Sequence, residues 1–250
     1  MSQSIITFTN VSKQYLKQRL RYGMLSDNVS HFFRHGSTSR QANDRNIVQA
    51  LKHVSFTVPK GETLGIIGPN GAGKSTILKL ICRVTIPDQG KITALGRIGA
   101  LIELGAGLHP ELTGRENIRL YGSILGMRKA EVEGKFKTIV KFAEIEKFLD
   151  MPIKRYSSGM YARLGFAVAV NLEPDILLID EVLAVGDEHF QRKCFQKMKE
   201  LRNRGTTIVF ISHNLEWIKL ICNQVIWLAD GTIKKKGAAR AVIAAYRQSI

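Results

Sequence analysis

The stretch TLGIIGPNGAGKSTILKLI, residues 63–81, decides the fold of this chain. It reads as an apolar strand, a glycine-rich turn and a helix. The turn fits the pattern G-x-x-x-x-G-K-[ST] with Gly68, Gly73, Lys74 and Ser75. Such a turn wraps phosphate with backbone N–H groups, Lys74 supplies a point charge, and the Ser75 hydroxyl can ligate Mg²⁺. The stretch therefore predicts a nucleoside triphosphate site.

A second apolar run, DILLIDE at 175–181, ends in two acidic residues. It is typical of a buried strand, and open α/β sheets bind ligands at the carboxyl ends of their strands. We therefore expect Asp180 to hold Mg²⁺, directly or through water, and Glu181 to be the base that polarises the attacking water. Two solvated acids at a strand end are the alternative, which the nearby phosphate-binding turn disfavours.

The bulk composition leaves several classes of partner open. The 250 residues are 44% hydrophobic, which suits one large domain or a domain with a subdomain. The net charge of +16 permits nucleic acid, an anionic membrane surface or an anionic substrate as partner. Three scattered cysteines predict buried, reduced thiols rather than a disulfide or a metal site. We find neither a secretory signal pattern nor an uncharged apolar run of about 18 residues.

Short β-rich segments alternate with helical patterns along the chain. The strand-like segments lie at 5–8, 54–58, 63–68, 175–180, 206–212 and 224–230. The helical patterns lie at 74–83, 115–125, 130–148, 158–171, 189–203 and 214–221. Because several strands are continuous apolar runs, the alternation predicts an α/β fold with a mainly parallel sheet covered on both faces.

Two stretches interrupt this alternation within what we interpret as a single domain over 1–250. Residues 16–47 form a basic insert with a short amphipathic helix and a loop. The apolar positions of that helix are Tyr22, Leu25, Val29, Phe32 and Phe33. Residues from about 104 to 172 are mostly helical and form a candidate subdomain. A short helical tail at 238–250 follows the last strand-bearing segment.

The stretch YSSGM at 156–160 has a second anion-binding pattern. Ser157, Ser158 and Gly159 stand just before an apolar run, as at a helix start whose N–H groups can hold an anion. An isolated S-S-G is more often a simple helix cap. The rest of the sequence has to show why one chain would need a second such site.

Five motifs together resemble those of the ATP-binding cassette (ABC) ATPases, in order and spacing, over nearly the whole chain. They are GPNGAGKST (68–76), YSSGM (156–160), DILLIDE (175–181), GD (186–187) and SH (212–213). The resemblance implies a P-loop NTPase core with a mainly parallel sheet, an antiparallel β subdomain and a helical subdomain. It also implies ATP and Mg²⁺ as cofactors, and a head-to-tail homodimer with two shared ATP sites.

In that family the signature loop binds the γ-phosphate held by the partner subunit, which answers the question of the second anion site. The resemblance assigns this role to Ser157, Ser158 and Gly159, and makes Asp187 the loop acid that crosses the interface.

The resemblance also assigns roles around each chain's own nucleotide. His213 matches the switch histidine that contacts the γ-phosphate, and with Glu181 and Lys74 it forms the predicted catalytic set. Tyr15 lies where the family stacks an aromatic ring on adenine. The other predicted nucleotide-binding residues are Gly68, Pro69, Asn70, Gly71, Ala72, Gly73, Lys74, Ser75, Thr76 and Asp180, with Ser75 and Asp180 as the Mg²⁺ ligands.

Departures from the usual family pattern point to one subfamily. Ser158 stands where glycine is usual and Met160 where glutamine is usual. Glu103 is the nearest polar residue to the position at which most members have the Q-loop glutamine. A glutamate can still contact Mg²⁺ or its water. Together with ELGAG-x-HPELTGREN and DE-x-LAVGD, these features resemble the subfamily that exports lipid-linked polysaccharides such as O-antigen, capsule and teichoic acid.

This resemblance implies a separate integral-membrane permease of the ABC-2 type, docked on 104–172, and a lipid-linked polysaccharide as substrate. It places the chain peripherally at the cytoplasmic face of the bacterial inner membrane. One alternative is the ATPase of an importer or drug exporter, which Glu103 and YSSGM disfavour. The other is a nucleic-acid-linked cassette ATPase, suggested by the charge. The coiled coil or second cassette of such proteins is missing, so we expect no nucleic acid partner.

Overall fold

The computed structural model describes residues 3–16, 47–101, 107–180 and 187–249. Most of the predicted basic insert lies outside these residues, as do Glu103 and Glu181. The strands are β1 (Ser4–Leu16), β2 (Ile47–Pro59), β3 (Thr63–Ile67), β4 (Gln89–Ala94), β5 (Ile98–Leu101), β6 (Ile176–Ile179), β7 (Thr207–Ile211), β8 (Gln224–Ala229) and β9 (Thr232–Ala238). The α-helices are α1 (Lys74–Ile81), α2 (Gly114–Ile124), α3 (Lys129–Ala143), α4 (Ser158–Asn171), α5 (Glu188–Asn203), α6 (Leu215–Ile221) and α7 (Ala239–Gln248).

The strands form two sheets. The larger has the order β5-β6-β7-β3-β8-β9, in which neighbours are parallel except for the antiparallel edge strand β9. The smaller is antiparallel, with the order β2-β1-β4. The predicted mainly parallel sheet and the antiparallel β unit are both confirmed.

The central strands are apolar throughout because alternate residues enter two different cores. Leu64 and Ile66 of β3 pack with α1 and with the smaller sheet. Ile179 of β6 and Phe210 of β7 pack on the other face, with residues of α4, α5 and α6. Every residue of β3, β6 and β7 is therefore buried, as expected for parallel strands covered on both sides.

A third core lies among the helices α2, α3 and α4. Ile118, Ile139 and Leu164 have no exposed surface there. Helix α4 also sends Phe166 and Val170 into the core beneath the large sheet. Because α4 is apolar on nearly all sides, it joins the helical stretch predicted at about 104–172 to the sheet.

Some element ends and short strands differ from the sequence-based predictions. The helix predicted over 130–148 ends at Ala143, because Glu144 adopts a left-handed backbone with φ of 59°. One turn of 3-10 helix, Glu146–Phe148, follows it. The patterns do not predict β4, β5 or β9, of which β4 and β9 have mostly polar or partly exposed residues.

The cysteines occur as free thiols, but only two of them are fully buried. Cys194 and Cys222 are buried, whereas Cys82 is half-buried. Among the described helices, none combines the length and the hydrophobicity that a membrane span requires.

The stacked pair of Phe8 and Phe56, with ring centroids 4.4 Å apart, ties β1 to β2 in the core above α1. We expect Phe56→Ala to lower the free energy of unfolding by about 3–5 kcal/mol, since it leaves a cavity in that core. Val84→Ala, at a side chain that is 72% exposed, should change it by less than about 0.5 kcal/mol. Denaturant titration of both variants tests this, and similar effects of the two changes would contradict it.

Candidate active site

The glycine-rich turn between β3 and α1 passes very close to neighbouring backbone. Gly68 has φ of 146°, and a Cβ on it would lie 1.9 Å from the carbonyl oxygen of Leu228. Gly73 has φ of 100°, and its Cβ would lie 2.4 Å from the carbonyl oxygen of Ala50. Only glycine fits at these two positions, so the turn is held between β8 and β2.

The tip of the turn is exposed. Pro69, Asn70 and Gly71 face solvent, and the N–H of Ala72 closes the turn onto the carbonyl oxygen of Pro69 at 3.3 Å. Thr76 follows in the first turn of α1. The predicted phosphate-binding residues therefore form one continuous loop around the start of a helix, which is the arrangement that anion binding needs.

The ammonium group of Lys74 lies inside this loop. Its Nζ donates hydrogen bonds of 2.9 Å to the carbonyl oxygens of Gly68 and Pro69, and the residue is only 7% exposed. Burial lowers the pKa of Lys74, and the nearby carboxylate of Asp180 partly opposes that shift. The cation is thus held at the positive end of α1, beside the backbone N–H groups of the loop.

Asp180 and Ser75 bring two oxygen ligands together. Asp180 follows β6, where its N–H donates to the carbonyl oxygen of Leu101 at 3.2 Å. Burial raises the pKa of Asp180, and the neighbouring Ser75 hydroxyl and the charge of Lys74 oppose this rise. A carboxylate and a hydroxyl at the mouth of a phosphate-binding loop are ligands of the kind that Mg²⁺ prefers.

His213 lies at the same edge of the large sheet, two residues after the end of β7. Its electrostatic influence reaches the carboxylate of Asp180, where it lowers the pKa. The turn around it is well defined, because the Ser212 hydroxyl accepts the Asn214 N–H at 3.1 Å and Asn214 caps α6. The electrostatic influence of Lys74, Ser75 and His213 thus meets at the carboxylate of Asp180.

Tyr15 lies on β1 opposite Val48 of β2, with 37% of its surface exposed. The ammonium of Lys13 lies 5.3 Å from the centre of its ring. None of the contacts seen among the described residues joins this ring to the phosphate-binding loop. Its stacking on adenine remains a prediction.

The signature loop is exposed at the start of α4. Ser157 caps this helix, since its hydroxyl accepts the Met160 N–H at 3.2 Å. Ser158 is exposed, and a Cβ on Gly159 would meet only the Ser157 oxygen, at 3.9 Å. The simple capping role is therefore realised, and the outer side of the loop remains open. The two candidate anion sites belong to different parts of the fold.

Asp187 caps α5 and is held by Arg163, a residue that the site prediction omits. Its Oδ1 accepts the Phe190 N–H at 2.9 Å, and its Oδ2 accepts a hydrogen bond of 2.6 Å from Arg163. These two donors lower the pKa of Asp187. Arg163 also bonds Glu144 at 3.0 Å. The sequence signal that could have identified Arg163 is its place in YSSGMYARL, six residues after Ser157.

The comparisons with known proteins agree with this geometry. A model of the ABC transporter family matches residues 51–184. The O-antigen export system ATP-binding protein RfbB of Klebsiella pneumoniae is 43% identical over 248 residues, which is 99% of both chains. RfbB of Myxococcus xanthus is 44% identical, but the chain spans only 57% of that protein's length. The teichoic acids export ATP-binding protein TagH of Bacillus cereus is 46% identical over 97% of this chain, which spans 42% of that protein.

Among solved structures, a dimeric ATP-binding cassette in a post-hydrolysis state with ADP and Pi has a TM-score of 0.71 at 25% identity. The match covers 94% of this chain and 99% of that one. The fold, the phosphate-binding loop and these similarities define an ATP-binding cassette ATPase. The chain belongs to the ABC transporter family.

Gly68 and Gly71 lie in the same loop but differ in their surroundings, so the same substitution at each position can be compared. Both have positive φ, so alanine at either position should cost about 1–2 kcal/mol. Gly68→Ala also collides with the carbonyl oxygen of Leu228, whereas nothing lies within 4 Å of a Cβ on Gly71. We expect Gly68→Ala to lower the melting temperature of the nucleotide-free chain clearly more than Gly71→Ala. Equal shifts in calorimetry would show that the close approach to β8 does not matter.

Proposed function

We propose that the chain is the ATP-hydrolysing subunit of an ABC exporter that moves a lipid-linked polysaccharide across the cytoplasmic membrane. The observation that carries this proposal is the 43% identity, over 99% of both chains, to an O-antigen export ATP-binding protein. The similarity to a teichoic acids export protein supports the same class of substrate. The polymer would be of the O-antigen, capsule or teichoic-acid type.

The phosphate-binding loop would hold the nucleotide through residues 68–76. Lys74 would place its charge on the β- and γ-phosphates, and Ser75 and Asp180 would hold Mg²⁺. When bound, the metal neutralises charge on the phosphate oxygens. The influence of the Ser75 hydroxyl on the pKa of the Asp180 carboxyl supports this assignment.

The remaining residues would act on the attacking water, on the γ-phosphate and on the adenine ring. We assign Glu181, directly after Asp180 in the sequence, as the general base for the attacking water. His213 would contact the γ-phosphate, which its influence on the carboxylate of Asp180 supports. Tyr15 would stack on adenine, for which its exposed ring is suited. Glu103 would take the place of the Q-loop glutamine.

Two copies of the chain would pair head to tail, so that the signature loop of one faces the ATP of the other. Ser157, Ser158 and Gly159 would contact the partner's γ-phosphate, and Asp187 would lie at the same interface. The open outer side of the signature loop supports this role. The dimeric state of the solved cassette of similar fold supports it as well.

An integral-membrane permease of the ABC-2 type would complete the exporter and dock on the helical region at 104–172. The chain would then lie at the cytoplasmic face of the inner membrane. The net charge of +16 suits a protein held near anionic lipid, and we propose no nucleic acid partner. Closure of the ATP-bound dimer would drive the permease, and hydrolysis would reopen it.

Replacement of the chain by its Lys74→Ala variant in the source organism tests the export function. We expect ATP turnover of the purified variant to fall to background, because the charge on the phosphates is lost. Surface polysaccharide should decrease while its lipid-linked precursor accumulates inside. Lys91→Ala, at an exposed lysine of β4, is the control and should leave both unchanged. Normal surface polysaccharide with an inactive ATPase would contradict the proposal.

A mixed dimer tests the shared sites. One Lys74→Ala chain paired with one Ser157→Arg chain has one site with both lesions and one site with neither. The mixed dimer should therefore hydrolyse ATP faster than either mutant homodimer, in which both sites are damaged. Phosphate release from separately tagged, doubly purified dimers measures this. Ser123→Arg, the same change at an exposed residue of α2, is the control. Homodimers as active as the mixed dimer would show that the loops do not share sites.

A further inference from the structure

Residues 149–156, which lead into the signature loop, are hydrogen-bonded to residues 109–115, which lead into α2. We call residues 109–115 and 149–156 together the clamp. Four backbone N–H···O=C hydrogen bonds join its two segments, with N···O distances of 3.0–3.3 Å. The donor–acceptor pairs are Arg115–Leu149, Gly114–Met151, Ile153–Leu112 and Lys154–Pro110. The two segments therefore form one unit.

Asn117 anchors one side of the clamp to α2. Its side chain has no exposed surface and bonds only to backbone. The amide oxygen accepts the His109 N–H at 2.7 Å. The amide nitrogen lies 2.9–3.1 Å from the carbonyl oxygens of His109, Leu112 and Thr113. The loop that enters α2 is thus fixed by a fully bonded buried group.

Tyr156 joins the other side of the clamp to the signature loop. Its hydroxyl donates a hydrogen bond of 2.8 Å to the carbonyl oxygen of Phe148. The ring lies against Gly114, where a Cβ would be only 2.2 Å from the hydroxyl oxygen. Burial raises the pKa of Tyr156 to about 12, so the hydroxyl remains a donor at any physiological pH. The next residue is Ser157.

The resemblance sets YSSGM beside the signature loop of the family, which is usually written LSGGQ. Tyr156 stands at the first position of that loop, where the usual leucine has no hydroxyl to donate. Gly114 belongs to HPELTGREN, the other stretch that sets this sequence apart. The two unusual stretches therefore contact each other, and a larger residue at Gly114 would displace the tyrosine.

We propose that Tyr156 is a positioning residue for ATP hydrolysis, which fixes Ser157 through its hydrogen bond to Phe148 and its packing against Gly114 at the start of α2. This inference rests on the proposed role of Ser157 at the partner's ATP. Tyr156 itself would not contact the nucleotide. The competing explanation is that the clamp only stabilises the fold.

Tyr156→Phe separates the two explanations, because it removes the hydroxyl and keeps the ring. We expect kcat for ATP to fall about tenfold, as misplacement of a reacting group does. The affinity of the chain for ATP should be unchanged, since the phosphate-binding loop lies on other elements. The melting temperature should change by less than about 4 °C. Tyr246→Phe, which removes a hydroxyl on α7 that bonds no described residue, should have wild-type kinetics.

Gly114→Ala provides a second, independent variant. Its methyl group collides with the Tyr156 hydroxyl, so we expect a larger fall in kcat than for Tyr156→Phe. In the double variant Gly114→Ala, Tyr156→Phe this collision is removed, and the new methyl group has the carbonyl oxygen of Leu149 at 3.2 Å and the ring atom Cζ at 3.3 Å. The double variant should therefore regain part of the kcat that Gly114→Ala loses. A double variant no more active than Gly114→Ala would overturn the inference.

Two results with Tyr156→Phe would also overturn it. One is wild-type kcat, and the other is a loss of kcat matched by a loss of ATP affinity or melting temperature. Ser157→Arg, assayed in parallel, tells which hypothesis fails. Normal turnover of Ser157→Arg would refute the shared-site proposal itself. An inactive Ser157→Arg beside a fully active Tyr156→Phe would refute only the role of the tyrosine.

Discussion

The nucleotide site depends on one close approach between backbones. The carbonyl oxygen of Leu228 in β8 occupies the space where a side chain on Gly68 would stand. This contact is possible because β3 and β8 pair in parallel, with Ile67 next to Trp227 in register. The turn after β3 is thereby pressed against the sheet, and α1 starts immediately beyond it. The position of the Lys74 ammonium, and hence of the charge on the phosphates, follows from that path.

The position of the second anion-binding loop depends on packing rather than on a strained turn. Helix α4 contributes side chains both to the core of the helical region and to the core beneath the large sheet. Its first turn carries the signature loop, so any shift of α4 would disturb two cores at once. Arg163 adds a polar connection from the same helix to Asp187 at the start of α5. The two elements proposed to face the partner's nucleotide are therefore held by one helix.

Local patterns predict the phosphate loop and the central strands well, because both have causes that are local in sequence. A parallel strand covered on two sides has to be apolar throughout, and β3, β6 and β7 are. Strands β4 and β9 lack such a signal, since they are partly exposed and their pairing depends on β1 and β8. The left-handed Glu144 that ends α3 gives no sequence warning.

The functional site likewise has residues that sequence motifs predict and contacts that they do not. Lys74, Ser75 and Asp180 are recognised from motifs, and the structure brings them together. The bond of Arg163 to Asp187 and the contact of Tyr156 with Gly114 become evident only in three dimensions, because the partners are distant in sequence. The resemblance to a family supplies roles for residues that touch the nucleotide. It does not supply the groups that hold them in place.

The antiparallel edge strand β9 has a consequence for how copies of this chain can associate. Lys234, Lys235 and Lys236 follow one another along it, and all three are exposed. A foreign strand that added to this edge would have to accept three neighbouring positive charges, and an identical strand would bring three more. Merging of two sheets into one continuous sheet is thus discouraged at this edge, as is fibrous aggregation.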